Sequence, residues 1–189
     1  MKIIMISAHS QNGKDAIANI MKEQLEQKKQ RVLIVHFADL VKFYATQYFN
    51  WDGNKDESGR ALLQKIGTTI MRERWPTYWA EIIAKFIDAL GDDIYDVFFD
   101  YVIIPDWRFI NEFETVYDYA QLFHQKVVTI RVNRYNEDGT LYWNPQMTLE
   151  QRQHISECEL DNFNFEWIIS NRGTLDDLRD SVKVILDNI

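Results

Sequence analysis

Ile3-Ile4-Met5-Ile6-Ser7-Ala8-His9-Ser10-Gln11-Asn12-Gly13-Lys14-Asp15 is the stretch on which the reading of this chain turns. Its first four residues form an uninterrupted apolar run, the mark of a short strand buried on both faces. Ile17, Ile20, Met21 and Leu25 follow at helical spacing, so Ser7 to Asp15 joins a strand to a helix. In that context the phosphate-loop pattern is G-x-x-x-x-G-K-[ST]. Gly13-Lys14 keeps the spacing, while Ala8 stands in the first glycine position and Asp15 in the hydroxyl position. Backbone N–H groups at a helix N-terminus point at an anion, and the helix dipole adds positive potential. Lys14 is expected to reach the terminal phosphates. The competing reading, an Asn-Gly hairpin turn, fails because a helix follows. If position 8 needs positive φ, Ala8 costs about 1–2 kcal/mol relative to glycine. Asp15 can hold a divalent cation directly or through water.

Working outward, Val32 to Val35, Tyr101 to Ile104, Val127 to Val132 and Trp167 to Ile169 read as four further strands. Between them lie helical stripes: Leu62, Leu63, Ile66 and Ile70; then Trp79, Ile82, Ile83, Phe86, Ile87 and Leu90, with Gly91 placed to end that helix. Phe113, Val116, Tyr117 and Ala120 form another, and Leu178, Val182, Ile185 and Ile189 the last. Thr174 starts that last helix, with Asp177 in a capping-box position. Asn133 to Cys158 is polar and weakly periodic, so a mobile excursion is expected there. Five short strands alternating with helices imply an α/β fold: a parallel sheet covered on both faces. Such sheets bind ligands at the carboxyl ends of their strands. Functional residues are therefore expected just after Ile6, Val35, Ile104 and Val132.

The chain has 189 residues and 22.6 kDa, the size of one domain. Hydrophobic residues make up 46% and charged residues 26%, a globular mix. The net charge of -8 repels a polyphosphate backbone, so no nucleic-acid polymer is expected as a partner. A small anion in a locally basic pocket remains compatible with it. The single cysteine, Cys158, excludes a disulfide within the chain and fits a reducing compartment. The four histidines lack zinc-ligand spacing. No apolar run reaches the roughly 18 residues of a membrane span, and the first apolar run is shorter than a signal core of about 7–15 residues. A cytoplasmic protein with no membrane partner is expected; exposed aromatics leave a homodimer open.

Two further strand ends carry chemistry-bearing residues. His36-Phe37-Ala38-Asp39 follows the second strand and Pro105-Asp106-Trp107-Arg108 the third. Asp106 is placed to orient water around Mg²⁺ and Arg108 to grip a phosphate with its fork. Taken alone, Asp106 reads rather as a turn or helix-cap residue and Arg108 as a surface ion pair; beside a phosphate loop the pair reads as a site. Arg60, Arg72, Arg74, Arg108, Arg131, Arg134 and Arg152 crowd the middle of an acidic chain. Gly67 interrupts a helical stripe, where a close approach or a kink would explain it. Tyr44, Tyr48, Phe49 and Trp51 either stack on a base or pack a core.

Taken in order, these residues resemble the bacteriophage-type deoxynucleoside monophosphate kinases, within the P-loop nucleoside monophosphate kinase superfamily. The resemblance rests on Asn12-Gly13-Lys14-Asp15, Phe37-Ala38-Asp39, Gly59-Arg60, Leu62-Leu63-Gln64 and Ile66-Gly67-Thr68. It continues through Pro76, Tyr78-Trp79, Pro105-Asp106, Arg108-Phe109, Asn111-Glu112, Ser156-Glu157 and Leu160-Asp161. Ala8 departs from the family's glycine and Ile110 from a common proline. The resemblance implies a three-layer P-loop fold with five parallel strands in the order 2-3-1-4-5. It implies an acceptor-binding insertion at about 37–96 and a lid at about 133–158. It implies ATP-dependent, Mg²⁺-assisted phosphorylation of a (deoxy)nucleoside monophosphate. ATP is then expected on His9, Ser10, Gln11, Asn12, Gly13, Lys14 and Asp15, and the metal near Asp15 and Asp106. Asp39, Arg60, Gln64, Thr68, Arg72, Asp106 and Arg108 are the expected acceptor contacts. Lys14, Arg108, Arg131, Arg134 and Arg152 are expected to meet the charge that develops on the transferred group. Another small-molecule P-loop kinase, of the phosphomevalonate kinase kind, and a non-catalytic nucleotide-binding module are the alternative readings.

Overall fold

The computed structural model describes residues 1–54, 56–90 and 98–189. Gly91, read as a helix stop, and part of the 37–96 insertion lie outside the described residues. Five strands, β1 (Lys2–Ala8), β2 (Val32–Ile34), β3 (Tyr101–Ile104), β4 (Lys126–Arg134) and β5 (Trp167–Asn171), pair in parallel in the order β2-β3-β1-β4-β5. The sheet and its order are those expected. Parallel strands need long crossovers, and helices supply them. They are α1 (Lys14–Gln27), α2 (Ala38–Phe49), α3 (Glu57–Gln64), α4 (Tyr78–Leu90), α5 (Ile110–Leu122), α6 (Leu149–Gln153), α7 (Ile155–Cys158) and α8 (Leu175–Leu186).

The period-2 alternation of β1 divides the core in two. Ile4 and Ile6 face α1 and α8, packing with Ile17, Met21, Leu178 and Val182. Ile3 and Met5 face the other way, onto Ile83 and Ile87 of α4 and Val116 and Ala120 of α5. A third, smaller core of Val41, Ala45, Ile66 and Trp79 lies among α2, α4 and the π-helical segment Lys65–Arg72. That segment contains Gly67. A Cβ there would meet only Val41, at an ordinary 3.6 Å, while the Gly67 carbonyl accepts from Trp79 Nε1 at 2.9 Å. A change of helical winding, not a close approach of another backbone segment, accompanies this glycine. Tyr44 packs on Trp79 and Trp51 Nε1 donates to the Asn54 carbonyl, so these two aromatics serve this small core and its flanking turn.

Sequence periodicity did not reveal α2, because only Val41 and Ala45 of its twelve residues are buried and no stripe forms. The polar stretch Asn133 to Cys158, expected as a mobile excursion, carries elements of its own: β4 runs into it, Tyr135 bridges to Leu141, and α6 and α7 complete it. Among the described residues no helix is long and apolar enough to cross a membrane.

Candidate active site

The loop after β1 turns through two left-handed residues, Gln11 at φ 62° and Gly13 at φ 100°. Ala8 is not one of them: it ends β1, buried, with ordinary strand torsions. Alanine there carries no conformational penalty, and the cost attached to a missing glycine does not arise. Asn12 N donates to the His9 carbonyl at 3.2 Å and Ser10 N to Glu157 Oε2 at 3.0 Å. Among the described residues the amides of Gln11, Gly13, Lys14 and Asp15 find no acceptor. They converge at the start of α1, the arrangement that binds an anion.

Strand ends hold the loop in this shape. Buried Asn12 accepts Arg134 N on Oδ1 at 2.7 Å and donates Nδ2 to the carbonyls of Ser10 and Tyr142 at 3.2 and 3.4 Å. Asn171, at the end of β5, donates Nδ2 to the Asn12 carbonyl at 3.1 Å. Lys14 Nζ lies 2.7 Å from Asp15 Oδ1, with Asp15 largely exposed.

Arg131 was expected over the transferred phosphate, but its guanidinium lies buried beneath the loop. It donates to Asp161 Oδ1 at 2.7 Å, to Ser7 Oγ at 3.1 Å and to Asn133 Oδ1 at 3.4 Å. His9 Nε2 sits 2.8 Å from both Asp161 Oδ1 and Arg131 Nη2. It serves one at a time, as N–H donor to Asp161 or as lone pair to Arg131. Burial, and then Arg131, push His9 below its ordinary range, against the pull of Asp161. The ring stacks on Trp143 at 4.2 Å, tying the segment after β4 to the loop. Asn144 Nδ2 to Ser10 Oγ (3.3 Å) and Tyr142 Oη to Gln11 Oε1 (3.1 Å) add to that seam.

The second half of the site surrounds the loop after β3. Buried Trp107 anchors it on Phe113, Phe163 and Phe165. Flanking it, Arg108 and Phe109 donate their amides to Glu112 Oε2 at 2.9 and 3.1 Å. Arg72 pairs with Glu112 Oε1 and lies 4.1 Å above the Phe109 ring. Burial raises Glu112 to about 7, with Arg72 pulling the other way. Arg108 Nη1 donates to the Ser156 carbonyl at 2.9 Å and pairs with Glu157 Oε1. Beside these arginines opens a cleft of about 400 Å³ lined by Thr68, Arg72, Phe109, Asn111, Ile155 and Glu159, among others. Asn111 donates Nδ2 to the Pro76 carbonyl at 2.9 Å, while its Oδ1 is buried without a partner.

Other expected residues fall elsewhere. Both Asp106 oxygens accept backbone amides at the start of α2, from Phe37 and Ala38, each at 3.0 Å. This carboxylate caps the start of α2 from across the chain, with both oxygens engaged. Asp39 is held by His36 and Lys42. Burial would raise its pKa, but Lys42 and His36 outweigh that and lower it. Gln64 contacts His154 at 3.2 Å, and Arg60 is exposed on α3. Neither they nor Asp39 line the cleft. Arg134 is exposed beside the loop, 3.4 Å from the Gln11 carbonyl and over the Tyr142 ring at 4.3 Å. Arg152 points inward, donating to the Asn144 carbonyl at 3.2 Å, with Nε buried and unpartnered. Glu112, Glu157 and Asp161 carried the family resemblance, yet spacing alone assigned them no role.

No protein-family profile matches the chain. The deoxynucleotide monophosphate kinase of Escherichia phage RB69 is 28% identical over 135 residues, 70% of this chain and 46% of that protein. The chain thus spans about half the length of the curated relative it matches. Among solved structures, a sugar kinase from Janibacter sp. HTCC2649 superposes with a TM-score of 0.52 at 13% identity, over 99% of this chain and 95% of the other. The APS kinase of Mycobacterium tuberculosis in complex with AMPPNP and APS does so with a TM-score of 0.50 at 9% identity, over 98% and 97%. The chain resembles a phage deoxynucleotide monophosphate kinase in sequence and has the P-loop kinase fold.

Proposed function

We propose that this chain transfers the γ-phosphoryl group of ATP to a (deoxy)nucleoside monophosphate, giving the diphosphate and ADP. One observation carries the reading: the loop with the unpaired amides is tied through Glu157 to Arg108, which shares Glu112 with Arg72 in the wall of the cleft. The phage relative's name supports the acceptor class.

Phosphoryl transfer asks for positioning and charge neutralisation. The amides of Gln11, Gly13, Lys14 and Asp15 bind the ATP phosphates, and Lys14 exchanges Asp15 for a phosphate oxygen. Arg72 and Arg108 grip the acceptor phosphate, with the Phe109 ring and Thr68 in the same cleft. Arg134, exposed at the loop, meets the charge developing on the transferred group. Arg131 holds His9 and Asp161 in place instead. The acceptor oxygen is already ionised near neutral pH, so no general base is needed.

Among the described residues no three His, Cys, Asp or Glu side chains are grouped to hold a metal ion. Asp15, an exposed carboxylate next to the loop, would fit Mg²⁺, since this ion keeps several waters and takes few protein ligands. Mg²⁺ supplies neutralisation of the phosphate charge; Asp15 orients its water shell.

The test is ADP release from ATP and Mg²⁺ with a panel of ribo- and deoxynucleoside monophosphates. Acceptor-dependent turnover is expected. Lys14→Ala should lower it about 10²–10³-fold, the worth of one well-aimed charge donor, with an unchanged melting temperature. No turnover with any nucleotide acceptor, in a chain that binds ATP, would favour a non-nucleotide acceptor or a binding module.

A further inference from the structure

Resting on that reading, we infer that Glu157 is a positioning residue that sets Arg108, the acceptor-side arginine, at a fixed distance from the phosphate loop. Glu157 belongs to α7 and is 8% exposed. Its two oxygens are divided between the two halves of the site. Oε2 accepts the amide of Ser10, in the loop after β1, at 3.0 Å. Oε1 pairs with Arg108 Nη1, in the loop after β3. The same Arg108 nitrogen is also held by the Ser156 carbonyl at 2.9 Å.

These contacts join residues 147 and 49 positions apart, so no local pattern produces them. A carboxylate bridging a main-chain amide and a guanidinium cannot slide without losing one of two charge-assisted bonds. The side chain of Arg108 is still 28% exposed. Its remaining donors, the three N–H groups on Nε and Nη2, stay available to a phosphate. Glu157 thus takes part of the guanidinium and leaves a face of it for the acceptor. A misplacement of about 1 Å in such a clamp can cost about 10²-fold in rate, which is why a rigid tie between donor loop and acceptor arginine matters.

A second consequence concerns α6 and α7. Because the bridge starts from α7, the segment after β4 reports to both halves at once: through Trp143 and Asn144 to the loop, and through Glu157 to Arg108. Arg108 is therefore set only when that segment is seated.

The experiment is a double-mutant cycle on the full chain with Glu157→Gln, Arg108→Gln and the pair, each checked for folding by circular dichroism and melting. Turnover is read with dTMP and dGMP, and ATP affinity by calorimetry. Glu157→Gln should lower kcat on the order of 10²-fold and leave ATP affinity within about threefold. The double variant should be no worse than Arg108→Gln, because Glu157 acts through that arginine. Glu157→Asp, one methylene too short to span both partners, should show the same split to a smaller degree, and serves if the Gln variant does not fold. Additive losses would overturn the inference. So would tighter ATP binding with faster turnover in Glu157→Gln, which would make the carboxylate a competitor of the phosphates. A wild-type chain that turns over no acceptor would defeat the functional reading instead. The same cycle in equilibrium dissociation constants for dTMP and dGMP then decides the positioning role: coupled losses uphold it, and additive losses or no binding end it.

Discussion

Gly13 shows how much one missing side chain contributes at this site. Its φ of 100° lies where other residues are strained, and a Cβ would sit 2.9 Å from Asn171 Nδ2, the donor that secures the Asn12 carbonyl. Gly13→Ala is expected to cost about 1–2 kcal/mol from the torsion alone. Displacing Asn171 should add a loss of ATP affinity; urea unfolding and calorimetry measure the two separately. Gly59 is under a harder constraint, since a Cβ would come within 2.0 Å of the Asn54 carbonyl oxygen. At this scale the sequence was legible where the chemistry is contiguous. Gly13-Lys14 before a helix reads as a phosphate loop because its amides and its cation come from one turn of chain. Glu112, Glu157 and Asp161 were not legible as ligands of arginines. Their partners Arg72, Arg108 and Arg131 lie 40, 49 and 30 positions away. The partners of Asp106 were hidden for the same reason, being amides at the start of a helix 68 and 69 positions back.

Among the elements, α8 follows local rules most closely. Thr174 N donates to Asp177 Oδ2 at 2.6 Å and Thr174 Oγ1 accepts Asp177 N at 3.3 Å, the reciprocal cap read from sequence. Thr174→Ala should cost about 1 kcal/mol of stability, within the usual 0.5–2, as read by urea denaturation. Helix α2 stands at the opposite extreme. Its start is capped by Asp106 from another strand and its burial is slight, so neither its beginning nor its face was written locally. The segment from Tyr135 to Cys158 rests on the loop through one ring stack and a few hydrogen bonds, with Leu149 and Ile155 exposed. Such a seam opens easily, because few buried contacts hold it. A bisubstrate nucleotide should therefore slow amide hydrogen exchange across 135–158. Unchanged exchange there, with the ligand bound, would argue against a closing lid.

For the whole molecule, titration of buried groups sets the pH dependence of stability. Glu112 is raised to about 7 in the folded chain. Folded protein thus binds more protons than unfolded between the ordinary 4.5 and 7, so its contribution is full below 4.5 and lost as pH rises through 7. Asp39 and Asp100 are lowered; their contribution is present above the ordinary 3.8 and lost as pH falls through their folded values. Glu112 thus makes the melting temperature fall as pH rises through 7, and Glu112→Gln should flatten that decline between pH 5 and 7.5. A decline of equal slope in that variant would remove Glu112 as its cause. The sequence by itself determined the α/β class, the five strands and the phosphate loop, because apolar runs, helical stripes and a glycine-lysine turn are properties of contiguous chain. Only the tertiary structure decided which arginine faces the site. Arg131 and Arg134 are three residues apart on one strand end, yet one is buried against Asp161 and the other exposed at the loop. Spacing along a chain says nothing about which distant carboxylate reaches a guanidinium first, and packing brings Asp161 to Arg131 and leaves Arg134 at the surface.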